Sequence, residues 1–265
     1  MRVISISSGK GGVGKTNITA NLGIALAQRG KKVMVWDADL GLANVDVILG
    51  VSSRYNISHI FSGERSLPEI LLEGPAGIKI MPASSGIQEM ASLTDEQKIN
   101  LLDELDAYEE PLDFLLIDTS AGIGPNVMYF NIAAQERIVV ATVEPTSIVD
   151  AYALIKVLCE QYGQKRFGIL VNAAPDAREA NAVFRLLTEV ADKHLGALSL
   201  DYLGFVPRDE HVLQAIRKQK AVLEIFPSAE ASKAFVTLAG RLLARPPEAQ
   251  PDGNIAFFWR RLFER

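Results

Sequence analysis

Two lysines stand in the run SSGKGGVGKT, Ser7 to Thr16, and phosphate chemistry accounts for only one of them. Gly9, Gly14, Lys15 and Thr16 fit the spacing G-x-x-x-x-G-K-[ST], the pattern of a phosphate-binding loop. Glycines there let successive backbone N–H groups turn inward as an anion-binding nest, which residues bearing a Cβ resist. Gly11, Gly12, Val13 and Gly14 are expected to line the nest, with Asn17 completing the nucleotide contacts. Lys15 is expected to reach the β- and γ-phosphates as a point charge. The Thr16 hydroxyl is expected to ligate Mg²⁺. Lys10 has no role on this spacing alone.

Acids at the ends of apolar runs are the next candidates. Asp118 closes Phe114 to Ile117, the position of a carboxylate that holds Mg²⁺ through water. Asp37 and Asp39 close "KKVMVWDAD" and are expected to part to opposite sides, leaving one of them to face the γ-phosphate and orient water. Asp46 reads as the cap of a short following helix. Asn172, in "LVNAAPD", can present a donor and an acceptor to a purine edge. Pro207, Arg208 and Asp209, in "GFVPRDEHV", form the loop expected beside it.

These residues need a scaffold that brings strand ends together. "RVISISS", "KKVMVWDAD", "GIKIMPA", "LDFLLIDTS", "ERIVVATVEP", "RFGILVNAAP" and "LSLDYLGFVP" read as strands. In "TNITANLGIALAQRG", Ile18, Leu22, Ala25 and Leu26 recur at helical spacing, with Gly30 at the C-cap position. Further helical patterns cover roughly 95–108, 125–135, 147–162, 177–194 and 229–244. Continuous apolar strands alternating with helices predict an α/β fold, a single doubly wound and mostly parallel sheet flanked by helices. Ligands bind such sheets at the carboxyl ends of the strands, where the acids and Asn172 fall.

Composition sets the limits. The 265 residues are 48% hydrophobic, and no compositional break precedes Arg245, so residues 1–245 read as one domain. A net charge of −5 argues against a general nucleic-acid binder, because phosphate backbones reward a basic face. The one cysteine, Cys159, excludes an internal disulfide; with Leu154, Ile155 and Leu158 it reads as a packed core thiol. His59, His194 and His211 lack metal-ligand spacing. Neither a signal peptide nor a membrane-spanning apolar run is present, so a cytoplasmic location is expected.

With these residues assembled, the chain resembles the MinD/ParA class of P-loop ATPases, whose loop reads K-G-G-x-G-K-[ST], here Lys10 to Thr16. The resemblance implies ATP and Mg²⁺ as cofactors. It makes Lys10 a residue that crosses an ATP-bound homodimer to the partner's phosphates, while Lys15 acts in cis. It also assigns Asp39 to water positioning and the metal site, and Asp118 to Mg²⁺. "DADLGLANVDVILG" (37–50), "NISHIFSGERSLPEILLEGPAGIKIMPASSGIQEMA" (56–91), "EPTSIVDAYALIKVL" (144–158) and "LDYLGFVPRDEHVLQAIRKQKAVLEIFP" (200–227) are similar to the FlhG/FleN regulators of flagellar number and placement. That implies a slowly hydrolysing switch ATPase. Its implied partners are an FlhF-type GTPase, a FleQ-type transcription activator or flagellar switch proteins. Proteins of this kind commonly carry an N-terminal extension that stimulates FlhF; with the sequence opening on its first strand, that activity is not among the expectations. A cell-division MinD or a ParA-like partitioning ATPase is the alternative reading. An iron–sulfur carrier of the superfamily needs at least two cysteines.

The C-terminus changes character. "RPPEAQPDGN" reads as a linker over 246–254. Beyond it, Ile255, Phe258, Trp259, Leu262 and Phe263 fall on one helical stripe, with Arg260, Arg261, Glu264 and Arg265 opposite. An apolar face with Trp and Phe against a basic one is the composition of an interfacial membrane helix over 255–265, directed at an anionic surface on the inner face of the cell membrane.

Overall fold

The structure, a computed structural model, describes residues 1–39, 45–83 and 94–245. The proline-rich segment and the C-terminal stripe lie outside the described residues, so the expected linker and membrane helix are not part of the fold described below.

β1 (Arg2–Ser8), β2 (Val33–Ala38), β3 (Leu72–Glu73), β4 (Lys79–Met81), β5 (Phe114–Ala121), β6 (Glu136–Ala141), β7 (Arg166–Ala174) and β8 (Ser199–Pro207) make one sheet in the order β3-β4-β2-β5-β1-β6-β7-β8. Every pairing is parallel except β3 with β4, which is antiparallel. β1 and β2 are buried along their whole length, as continuous apolar runs in a doubly covered parallel sheet should be. Alternate residues serve opposite faces. Val33, Val35 and Leu116 join one apolar cluster, while Met34, Trp36 and Leu115 join another.

α1 (Lys15–Ala27) and α11 (Glu230–Ala244) cover the first face, with α2 (Val45–Leu49), α9 (Glu210–Arg217) and α10 (Val222–Ile225) beside them. α1 is buried almost all round, which explains why its apolar residues do not keep to one stripe. α3 (Ile57–Phe61), α4 (Leu67–Ile70) and α6 (Pro125–Ala133) cover the other face near β2 and β5. α7 (Pro145–Tyr162) and α8 (Ala177–His194) cover it near β6 and β7. Trp36 and Phe130, both fully buried, meet edge to face with centroids 4.8 Å apart; truncating either should cost about 3–5 kcal/mol. Cys159 is buried within this second layer, as its pattern suggested.

β1 occupies the switch point of the sheet, since the chain proceeds from it toward β2 on one side and later toward β6 on the other. The crevice for a ligand lies at the carboxyl end of such a strand. The remaining helix is α5 (Asp95–Asp106), opened by a Thr94–Gln97 capping box. Among the described residues no helix is long and apolar enough to cross a membrane.

Candidate functional site

β1 runs directly into the loop at residues 9–14, and α1 begins at Lys15. Gly12 and Gly14 sit at φ 77° and 92°, the left-handed region that a Cβ makes costly. Gly9 is required for a different reason, because a Cβ there would lie 2.0 Å from the carbonyl oxygen of Asp150 in α7. The loop is thus wedged between α7 and the first turn of α1. Unpaired N–H groups of a helix start and its dipole favour an anion at this point.

Lys15 is 8% exposed. Burial lowers its pKa, and the nearby Asp118 and Asp39 push it back up. Thr16 hydrogen-bonds the Asp118 carboxylate, and Thr19 Oγ1 donates to Asp118 Oδ1 at 3.4 Å. Burial pushes the Asp118 carboxyl up to about 7; Thr16 and Lys15 oppose the rise, while Asp37 and Asp39 add to it. Asp118 and Asp39 thus both act on Lys15, and Asp37 acts on Asp118, an excess of negative charge that a divalent cation relieves. No three acids, histidines or cysteines among the described residues converge closely enough to hold a metal unaided. That arrangement suits Mg²⁺, which takes one or two side chains and completes its shell with phosphate oxygens and water. The nest, the buried lysine and the Thr16–Asp118 pair fit a magnesium nucleotide.

The two acids ending β2 do separate, although not by strand alternation, since residues two apart share a face. Asp37 is 1% exposed. Its Oδ1 accepts the N–H of Asp39 at 3.2 Å and its Oδ2 that of Val45 at 3.0 Å. Asp37 thereby tethers the start of α2, and Asp39, beyond the end of β2, is left nearer the solvent. Asp46 lies inside the first turn of α2, so the expected cap comes from Asp37 instead.

Lys10 pairs with α7 rather than with the acids beside Lys15. Its Nζ donates to Glu144 Oε2 at 2.6 Å and to Thr146 Oγ1 at 2.8 Å, at the start of α7. Asn172 lies on the loop itself, with Nδ2 donating to the carbonyl of Val13 at 2.7 Å. Pro207 pairs with Ala174 at the ends of β8 and β7, and Arg208 N–H bonds the Ala174 carbonyl at 2.9 Å. Asp209 caps α9 through the His211 N–H at 2.9 Å and holds the Ala231 N–H at 3.1 Å. Asn17 accepts from Asn21 through both its carbonyl and its side-chain oxygen, and Asn21 in turn accepts from Leu223 N–H. It joins α1 to α10. Glu144 and Thr146 are site neighbours that sequence reasoning passed over; their signal is a polar start to a helix at a strand's carboxyl end. A cavity of about 410 Å³ lies elsewhere, along the outer edge of β8 between α8 and α11. The chemistry of the backbone nest, not a volume, identifies the loop site.

A family model for ParA, described as NUBPL iron-transfer P-loop NTPase, matches residues 1–243. The antiactivator FleN of Pseudomonas aeruginosa is 45% identical over 264 residues, covering 100% of this chain and 94% of that protein. The flagellum site-determining protein YlxH of Helicobacter pylori is 34% identical, covering 98% and 90%. Among solved structures, MinD in the MinC:MinD cell division complex of Aquifex aeolicus is similar at a TM-score of 0.71 and 28% identity, covering 96% of this chain and 100% of that one.

Proposed function

The chain belongs to the ParA family of P-loop NTPases, and from that premise we propose a magnesium-dependent ATPase used as a switch in setting flagellar number and placement. The observation that carries this reading is the convergence of Lys15, Thr16, Asp118 and Asp39 on a glycine nest. The flagellar role rests on the resemblance over nearly the full length to FleN and YlxH. Iron transfer does not carry over from the family description, because the single cysteine is buried in α7.

Bound Mg-ATP would supply a divalent charge and a labile γ-phosphate. The glycine loop and the start of α1 hold the phosphates, and Lys15 balances their charge. Thr16 and Asp118 hold the metal side. Asp39, adjacent to both, orients the attacking water. Asn172, held against the loop at Val13, and residues 207–209 would contact the base. Lys10 acts in trans: it exchanges its exposed pairing with Glu144 for the phosphates of a second copy once the γ-phosphate is present. Ile123 and Val149 are exposed and adjoin Gly122 and Asp150, which touch the loop at Ser8 and Gly9; a second copy would cover them. The C-terminal stripe is the reversible membrane anchor.

Turnover of ATP with and without Mg²⁺, together with light scattering in ATP and ADP, tests the switch. Slow magnesium-dependent hydrolysis and an ATP-specific dimer are expected; absence of nucleotide binding would overturn it. Altered flagellar number in a strain lacking the gene is the expected cellular result, and unchanged flagellation would remove that assignment.

A further inference from the structure

Behind the phosphate loop lies a set of buried polar side chains that the chemistry above does not use. Ser5 and Ser7 on β1, Thr119 on β5 and Asn131 on α6 are each at most 1% exposed. Ser5 Oγ donates to Asn131 Oδ1 at 3.0 Å. Asn131 Nδ2 donates to Ser7 Oγ at 2.8 Å and to the Val127 carbonyl at 2.7 Å. Thr119 Oγ1 lies 2.9 Å from Ser7 Oγ and 3.3 Å from the Ile6 carbonyl. A carbonyl only accepts, so the contact with Val127 identifies which end of the amide is the NH₂ group. The Asn131 amide thus has one acceptor and two donor contacts. Arg137 fastens the end of α6 by donating to the carbonyls of Asn131 and Ala134 at 2.7 and 2.6 Å.

An apolar interior would hold β1, β5 and α6 together without the desolvation cost of so many polar groups. What the polar one adds is direction, and it adds it at one irregularity in the sheet. Ile6 pairs with Asp118, but Ser8 pairs with Ala121, so β5 carries an extra residue over Thr119–Ser120. A bulge of this kind interrupts the ladder and re-aims the adjacent side chain. The adjacent side chain here is Asp118. Where the backbone ladder lapses, the contacts from Thr119 to Ser7 and from Ser7 to Asn131 tie the bulge to the strand that enters the phosphate loop.

We propose that Asn131 is a positioning residue for hydrolysis, clamping the β5 bulge through Ser7 and Thr119 so that Asp118 faces Thr16 at a fixed distance from the loop. This rests on reading Asp118 as the magnesium-side carboxylate. Asn131 touches no reacting group, and its effect is on geometry.

The test compares Asn131→Ala, Thr119→Val and Thr119→Ser in the full chain. Thr119→Val keeps the shape and loses the hydroxyl, while Thr119→Ser keeps the hydroxyl. Asn131→Ala and Thr119→Val should bind nucleotide within about threefold of wild type. Both should lower kcat by roughly 10–100-fold and raise the Mg²⁺ concentration for half-maximal turnover, the scale that small displacements of a catalytic group produce. Thr119→Ser should recover most of the loss. In the nucleotide-free chain, hydrogen exchange at residues 118–122 should quicken in both impaired variants while β7 keeps its protection. Wild-type kcat, magnesium midpoint and exchange in Asn131→Ala and Thr119→Val would overturn the proposal, as would a Thr119→Ser variant as impaired as Thr119→Val. If wild type itself shows no magnesium-dependent turnover, the ATPase reading fails. The exchange experiment then still decides whether Asn131 holds the bulge.

Discussion

Asp118 carries two opposed demands, and pH separates them. Burial raises its carboxyl from 3.8 to about 7 in the nucleotide-free chain. A folded-state pKa above the unfolded value means the native state holds the extra proton, so this group's stability contribution is full below about pH 4 and is lost as pH rises through about 7. Asp118→Asn removes that loss while keeping an oxygen for Thr16. The nucleotide-free variant should therefore melt above wild type at pH 8, with the gap narrowing toward pH 5. A gap independent of pH would show that Asp118 stays ionised throughout. The lysines divide in a comparable way. Lys15→Ala removes the cis phosphate charge and should abolish tight ATP binding in a fluorescent-nucleotide titration. Lys10→Ala breaks only the exposed contacts to Glu144 and Thr146. It should keep substantial ATP binding but lose ATP-dependent dimerisation, and an undiminished ATP dimer by light scattering would reject the trans role. Asp39→Ala should bind ATP and dimerise yet turn over ~10²–10⁴-fold more slowly. Near-normal turnover would move water positioning to another group.

Among the elements, the contact between the loop and α7 is the least forgiving. Gly9 has no room for a Cβ because the obstacle is backbone, the Asp150 carbonyl at 2.0 Å, whereas a Cβ on Gly124 would meet nothing within 4 Å. Gly9→Ala should therefore cost about 1–3 kcal/mol and weaken nucleotide binding, while Gly124→Ala leaves the urea midpoint close to wild type; equal midpoints would mean that α7 yields without cost. Periodicity made most elements readable: 177–194 coincides with α8, and 229–244 differs from α11 by one residue. The pattern at 147–162 missed only Pro145 and Thr146, because a proline at the first helical position adds no apolar repeat. The two-residue β3 left no period to read, and neither did the short α9 and α10. The phosphate loop and the strand-end acids were legible because their chemistry is local in sequence. The Asn131 contacts were not, since Asn131 meets Ser5 and Ser7 across more than 120 residues. All that shows locally is the second of two asparagines in a mostly apolar helix. Asn172 stands out in the sequence as a strand-end amide, but its contact with Val13 emerges only when β7 and the loop converge.

For the whole molecule, the question is how a phosphate-sized event becomes a change of location. Lys10 is 35% exposed at its side chain, and the apolar Ile123 and Val149, 52% and 65% exposed, are chain neighbours of Gly122 and Asp150, which touch the loop at Ser8 and Gly9. Joining two copies there would bury these residues and bring two C-terminal segments to one particle. Read as a helix, the sequence of residues 255–265 would put Ile255, Phe258, Trp259, Leu262 and Phe263 on one stripe, with Arg260, Arg261 and Arg265 opposite. Burying four of these five side chains would yield a gross ~6–12 kcal/mol on entering a membrane interface, and each arginine would add ~1 kcal/mol at an anionic surface. Ordering a segment too short to be helical by itself opposes most of that gain. One copy should therefore bind weakly and reversibly, while two linked copies gain ~10²-fold or more by effective concentration. The full chain should co-sediment with phosphatidylglycerol-containing vesicles in ATP and largely remain in the supernatant in ADP. Trp259→Glu and truncation after Asn254 should both abolish the ATP-dependent fraction without reducing ATP turnover to zero. Equal sedimentation in ATP and ADP would break the link between dimer and membrane. Vesicle binding that survives the truncation would place the membrane contact elsewhere on the molecule.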